Sequence, residues 1–143
     1  MTTWTVEIPG QPLSLGQAYR THAIPMKRRG VTLTDVKGRA RVLHRPGLTD
    51  KAVAYRDKAQ WLMQSARPSG WHPSGQLRVV IDIRCLRPVD PDNTLKLLMD
   101  ALKMAIGHDD RFFLPVVRSL QWHAANPGVT LTITTDTVVL PAL

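Results

Sequence analysis

The sequence is short of cysteine, of acidic residues and of long apolar runs. Its one thiol, Cys85, rules out a disulfide within the chain and a metal cluster built from cysteines. No apolar stretch approaches the roughly 20 residues that span a bilayer. The N-terminal residues also lack the basic and then apolar layout of a signal peptide. We therefore expect a reducing, cytoplasmic environment and no membrane partner.

Acidic residues are outnumbered by basic ones. The chain has 19 Lys and Arg against 11 Asp and Glu, which gives a formal net charge of +8 and a pI of about 10.4. Eleven of the 19 cations lie between Arg20 and Lys58. A basic excess of this size indicates a polyanionic partner. A well-solvated basic surface without a dedicated partner is the ordinary alternative.

The few acids are concentrated in one short segment. Five of the 11 lie within 21 residues, at Asp90, Asp92, Asp100, Asp109 and Asp110. Carboxylates crowded together on a basic protein repel one another unless a cation lies between them. Mg²⁺ prefers carboxylate oxygens and keeps several waters for chemistry, and Mn²⁺ accepts the same ligands. We therefore interpret the segment as a metal site.

Length and periodicity predict one α+β domain over residues 1–143. We expect a small mixed sheet of about four strands packed against two helices. The predicted elements are a strand at 4–8, a helix at 49–66 capped by Thr49, a strand at 77–85, a helix at about 93–103, and a closing hairpin with strands near 116–122 and 129–134. Asp92 or Asn93 would cap the second helix, and Trp61 and Cys85 would lie in the core.

Residues 21–47 are predicted to form a long basic loop near the N-terminus. The segment is rich in Gly and Pro and shows no sustained periodicity. Long irregular insertions in a compact domain are functional or disordered. We expect this loop to be mobile alone and to become ordered when phosphates neutralise its charge. One short strand at 31–34, paired with 42–43, is the only regular structure predicted within it.

The metal hypothesis places a condition on the second helix. A helix over 93–103 is roughly 16 Å long at about 1.5 Å per residue. Seven extended residues after Lys103 reach about 23 Å, so Asp110 can return to Asp90 and Asp92. If the helix continued to Ile106, the remaining four residues would reach only about 13 Å. We therefore expect the helix to end near Lys103.

The acidic segment resembles the RusA family of Holliday junction resolvases. That family shows an Asp-x-Asp-Asn-x-x-Lys pattern, then Asp-Ala-Leu and later Asp-Asp. The matching residues here are Asp90-Pro91-Asp92-Asn93-Thr94-Leu95-Lys96, Asp100-Ala101-Leu102 and Asp109-Asp110. A weaker likeness extends to residues 8–12, 19–20, 54–57 and 131–134.

The resemblance implies a Mg²⁺-dependent endonuclease that cuts four-way DNA junctions symmetrically as a homodimer, in recombination and repair in bacteria or their prophages. It implies that Asp90, Asp92 and Asp110 bind the metal and that Lys96 is the functional lysine. We assign auxiliary roles to Asn93, Asp100 and Asp109. The cations that we expect to hold branched double-stranded DNA are Arg20, Lys27, Arg28, Arg29, Lys37, Arg39, Arg41, Arg45 and Arg87.

Plainer roles remain open for these residues. In these roles Asp92 is only a helix cap, Lys96 and Asp100 are only a surface ion pair of little energy, and Asp109 with Asp110 is only a turn. Two other functions therefore stay open, a non-catalytic nucleic-acid-binding module and a metal-dependent hydrolase of small phosphate esters. The large basic excess argues against the second, because a nucleotide needs only a few cations.

Overall fold

The computed structural model describes residues 2–13 and 15–135, with the backbone alone at residues 15–16, 20, 22–23 and 44–46. In chain order the elements are β1 (Thr3–Pro9), α1 (Leu15–Ala18), β2 (Tyr19–Pro25), β3 (Lys27–Arg28), β4 (Val31–Thr32), β5 (Val42–Leu48), α2 (Asp50–Ala66), β6 (Leu77–Arg84), α3 (Pro91–Ile106), a 3-10 turn (Asp110–Phe112), β7 (Phe113–Gln121) and β8 (Gly128–Thr135). Among these described residues, no helix is both long enough and apolar enough to cross a membrane.

The main sheet has four strands in the order β1-β8-β6-β7. β6 pairs antiparallel with β8 and parallel with β7, so the sheet is mixed as expected. The predicted closing hairpin is wrong, because β6 lies between β7 and β8. Parallel neighbours need a long crossover connection, and α3 supplies it between β6 and β7.

The core lies between one face of this sheet and the helices α2 and α3. Alternation along β6 buries Leu77, Val79, Ile81 and Ile83 completely, and the adjoining Cys85 is buried as predicted. Helix α2 begins where it was expected, with the Thr49 hydroxyl accepting a hydrogen bond from the Ala52 N–H at 3.2 Å.

Trp61 shows where the predicted core was wrong. Its side chain is 65% exposed, whereas Ala59 and Met63 on the same helix are fully buried. Residues two apart on a helix point in nearly opposite directions, so the helix that buries Ala59 and Met63 turns Trp61 to the solvent.

Residues 19–48 form a β-structured extension that we call the forked arm. Its stem pairs all seven residues of β2 with β5, from Tyr19 opposite Leu48 to Pro25 opposite Val42. Beyond the stem the chain makes two small hairpins, tip 1 (residues 27–32) and tip 2 (residues 34–40). The prediction of an irregular loop is therefore wrong for the backbone, and the short strand at 31–32 pairs with β3 rather than with 42–43. The mobility of the segment without DNA stays a prediction.

The core prediction can be checked with two methionines at helical positions. Met63 on α2 is fully buried and Met104 on α3 is 50% exposed. We expect Met63→Ala to lower the free energy of unfolding by about 2–5 kcal/mol, because it removes buried apolar volume and leaves a cavity. Met104→Ala makes the same chemical change on a helix and should cost no more than about 0.5 kcal/mol. Urea denaturation of both variants gives the comparison, and equal losses would contradict the assigned core.

Candidate active site

The first two candidate acids lie at the N-terminus of α3. Asp90 has an extended backbone (φ −74°, ψ 118°), the conformation that a following proline favours. Its carboxylate accepts a hydrogen bond from the Asp92 N–H at 3.1 Å, so Asp90 is the helix cap. The prediction that Asp92 or Asn93 is the cap is therefore wrong. The carboxylate of Asp92 is exposed and has no hydrogen-bond or ion-pair partner within residues 2–13 and 15–135.

The end of α3 lies further along the chain than the metal hypothesis required. The helix continues to Ile106 and ends at Gly107, whose positive φ of 66° closes the last turn. Ala105 and Ile106 are buried, so the apolar face of the helix extends past Lys103 and stabilises the additional turn. The prediction of an early helix end is wrong.

Asp109 and Asp110 follow this helix end and have separate local partners. Asp109 caps the 3-10 turn, accepting from the Arg111 N–H at 3.0 Å and from its guanidinium at 2.9 Å. These bonds to Arg111 lower the pKa of Asp109 to about 2. Asp110 accepts a hydrogen bond from Lys103 Nζ at 3.2 Å, and that bond raises the pKa of Lys103.

One protomer therefore does not bring its three candidate metal ligands together. Lys103, which holds Asp110, lies 13 residues after Asp90 along α3, an axial distance of about 20 Å. The described residues contain no group of three His, Cys, Asp or Glu side chains that could hold a metal. The topology explains the separation. A crossover helix leaves the C-terminal end of β6 and returns to the N-terminal end of β7. Acids at the two ends of this helix therefore lie at opposite ends of the strands.

Lys96 contacts the root of the forked arm. Its ammonium lies 5.4 Å from the centroid of the Tyr19 ring, within cation–π distance. The surface ion pair that we weighed for Lys96 and Asp100 is not formed within the described part of the chain. Asn93 and Asp100 lie half-buried on α3, one in its first turn and the other four residues beyond Lys96.

Four residues that the sequence analysis did not single out support the candidate groups. Gln11 binds the strand exit before Asp90, accepting from the Leu86 N–H at 2.6 Å and donating to the Arg87 carbonyl at 3.1 Å. The other three are Tyr19, Lys103 and Arg111. Gln11 and Tyr19 are about 75 residues from their partners, so no local spacing indicates them, and the weaker resemblance at residues 8–12 and 19–20 was the available signal. Lys103 is seven residues from Asp110, and Arg111 is two residues from Asp109. Opposite charges this close in sequence were the available signal.

All the predicted DNA-binding cations except Arg87 lie on the forked arm. Lys27, Arg28 and Arg29 are exposed on tip 1, and Lys37 and Arg39 on tip 2. Arg41 follows tip 2, and Arg87 is exposed three residues before Asp90. Arg20 and Arg45 lie on the stem strands, and their side chains are outside the described part of the structure.

Comparison with known proteins supports a nuclease assignment for this geometry. A protein-family model described as "Endodeoxyribonuclease RusA" matches residues 34–134, which include α2, α3 and all five clustered acids. No curated protein matches the chain.

The hydrogen bonds of Asp109 predict a specific titration. A carboxyl with a lowered pKa stabilises the fold above its ordinary value of 3.8, and this contribution is lost as the pH falls through about 2. In Arg111→Ala the guanidinium bond is lost but the backbone N–H remains. The pKa of Asp109 should therefore rise yet stay below 3.8, measured by carbon NMR of the carboxyl group. Arg118→Ala, which removes a partner of Asp82 instead, should leave the Asp109 titration unchanged. An unaltered midpoint in Arg111→Ala would contradict the assigned contact.

Proposed function

The chain belongs to the RusA family of endodeoxyribonucleases, which resolve Holliday junctions, since the family model covers residues 34–134, and from this premise we propose its chemistry and assembly. We propose a Mg²⁺-dependent endonuclease, with Mn²⁺ as an alternative ion, that cuts four-way DNA junctions symmetrically as a homodimer. Its role would be DNA recombination and repair in the cytoplasm of a bacterium, including one that carries it on a prophage.

The observation that supports a metal site is the pair of carboxylates at the start of α3. Asp90 and Asp92 are exposed, and Asp92 has no protein partner in the described structure. Carboxylate oxygens are the ligands that Mg²⁺ prefers. Two carboxylates from one segment fit a site that draws its third ligand from elsewhere.

We propose that a second copy of the chain supplies this third ligand, Asp110. β7 is an edge strand with nine residues, and within the described residues only β6 pairs with it. Leu114, Val116 and Leu120 on this strand are 38–48% exposed. An edge strand with unpaired backbone groups and exposed apolar side chains is a template for pairing with another strand. Two-fold symmetric pairing would bury this edge on both copies.

Antiparallel pairing of β7 with its symmetry mate would connect the two halves of the site. A two-fold axis near Val117 places Phe113 of each copy opposite Gln121 of the other. Gln121 lies beside Arg84 at the end of β6, and Asp90 follows six residues later. Asp110 precedes Phe113 by three residues. The pairing therefore brings Asp110 of each copy toward Asp90 and Asp92 of the other.

Each protein group then has a defined task. Asp90, Asp92 and Asp110 would hold the divalent cation, which supplies Lewis-acid polarisation of the phosphodiester and activation of water. Lys96 lies one helical turn beyond Asp92, where its ammonium can stabilise the negative charge that develops on the phosphate. Asn93, Asp100 and Asp109 would orient these groups. The basic tips and Arg87 would hold the DNA backbone, which positions the substrate without reading its sequence.

The first prediction concerns the candidate ligands. Asp90→Asn and Asp110→Asn should each abolish Mg²⁺-dependent cutting of a synthetic four-way junction. Each should leave junction binding intact or tighter, because a negative charge near the phosphate is lost. Asp57→Asn, an exposed acid on α2, is the matched control and should cut normally. Cutting that survives in a clean Asp90→Asn preparation would refute the proposed metal site.

The second prediction separates a shared site from one within a protomer. Equal amounts of inactive Asp90→Asn and Asp110→Asn subunits, unfolded and refolded together, should regain about a quarter of the wild-type sites. Half of the dimers are then mixed, and each mixed dimer has one intact site of its two. Asp90→Asn mixed with Asp92→Asn should stay inactive, because those two ligands come from the same copy. Recovery in neither mixture would contradict a site shared between copies.

A non-catalytic DNA-binding module is the second candidate, favoured by the separation of the three acids within one protomer. Gel shifts in EDTA and in Mg²⁺, run beside the cleavage assay, discriminate between the two. Junction binding with no cutting by the wild-type dimer would favour the binding module.

A further inference from the structure

The forked arm has features that the proposed chemistry does not use. The family match begins at residue 34, so β2, tip 1 and the turn between β3 and β4 lie outside it. Away from its base, the large apolar side chains described on its stem are substantially exposed, with Ile24, Val42 and Leu43 at 40–43%. An isolated two-stranded hairpin is only marginally stable in water. The arm therefore has the character of a binding element rather than of a support for the core.

The point of divergence between the two tips is fixed by backbone hydrogen bonds. The Met26 N–H donates to the Arg41 carbonyl, the Arg41 N–H to the Leu33 carbonyl, and the Leu33 N–H to the Met26 carbonyl, all at 2.8 Å. These three bonds form a closed ring in which three segments of the chain meet. The stem and the two tips therefore meet at this ring.

Both tips have turns that are built to keep their shape. Tip 1 turns at Arg29 and Gly30, whose φ values are both positive (52° and 79°), as a tight two-residue hairpin turn requires. Tip 2 turns around Asp35, whose carboxylate accepts from the N–H groups of Lys37 at 2.8 Å and Arg39 at 3.0 Å. The charges of both tips are thus carried on turns of defined backbone conformation.

The charge of the tips is almost entirely positive. Lys27, Arg28 and Arg29 on tip 1 are exposed and form no ion pair with the described residues. On tip 2, Lys37 is exposed, and Arg39 forms a 3.3 Å pair with Asp35, the one acid in either tip. Each tip therefore offers at least one uncompensated cation to a phosphate backbone.

We infer that each tip binds a different DNA helix at a branch point, where the helices diverge. The forked arm would thereby discriminate branched from unbranched DNA. The inference rests on the proposed function, since it takes the substrate to be branched. A straight duplex offers a single helical direction, and on it we expect each tip to substitute for the other. At a branch the helices leave one point in different directions, as the tips leave the ring of Met26, Leu33 and Arg41. Both tips are engaged only there.

Two charge-removing variants test this. Tip 1 is altered by Lys27→Gln with Arg28→Gln, which spares Arg29 at its positive φ, and tip 2 by Lys37→Gln with Arg39→Gln. Lys51→Glu, an exposed change in the first turn of α2, also removes two units of charge and is the matched control. Dissociation constants for a four-way junction and for a linear duplex are measured in EDTA, where the DNA stays uncut.

Each tip variant should lose about tenfold in affinity for the junction, and the slope of log affinity against log salt should fall by about 2. On linear duplex each should lose less than about threefold, because the other tip substitutes. Lys51→Glu should leave the ratio of junction to duplex affinity unchanged. Exchange variants that keep the charge, Lys27→Arg with Arg28→Lys, should behave as wild type.

Equal losses on junction and duplex would overturn the inference, as would no loss on either. The proposed function is judged separately, by Mg²⁺-dependent cutting of the junction by the wild-type protein. A wild type that cuts while its tip variants show equal losses refutes only the role of the arm. A wild type that does not cut refutes the nuclease even where the affinity ratio behaves as expected.

Discussion

The parallel crossover from β6 through α3 to β7 is the constraint on which the arrangement of this molecule depends. A helix that connects two parallel neighbouring strands begins at the C-terminal end of the first strand and ends at the N-terminal end of the second, so it crosses the full length of the strands. The acidic segment coincides with this crossover, so its first acids, Asp90 and Asp92, and its last, Asp110, are separated by the length of α3. Residues that are close in sequence and alike in charge are thus far apart in one protomer. Because of this separation, the proposed site needs Asp110 from a second copy. β7, the unpaired edge strand, is where the second copy would pair in the proposed dimer.

The local sequence pattern was sufficient to predict the elements in which apolar residues recur at the period of one buried face. Strand β6 follows strict alternation, and α2 begins at the cap that Thr49 provides. Both were predicted correctly because one face of each element meets the core. The partner of a strand is not a local property. β7 and β8 are successive strands joined by a six-residue connection, which is also the pattern of a hairpin. Only the insertion of β6 between them distinguishes the two arrangements.

The candidate site likewise has one property that the sequence predicts and one that it does not. The identity of the acids was readable from their crowding on a basic chain, but their geometry was not. The end of α3 depends on whether Ala105 and Ile106 pack into the core, which a helical pattern alone does not decide. The forked arm was missed for another reason. Its stem shows no apolar alternation in sequence, and its pairing depends on turn residues and backbone hydrogen bonds.

The ion pair between Lys103 and Asp110 has a consequence for the solitary chain. In an isolated protomer the acid that would complete the site is already neutralised by a lysine of the same helix. Such an exposed pair is weak and exchangeable, so a cation shared with a second copy can displace it. If the site is shared as proposed, a subunit without its partner would hold no complete metal site.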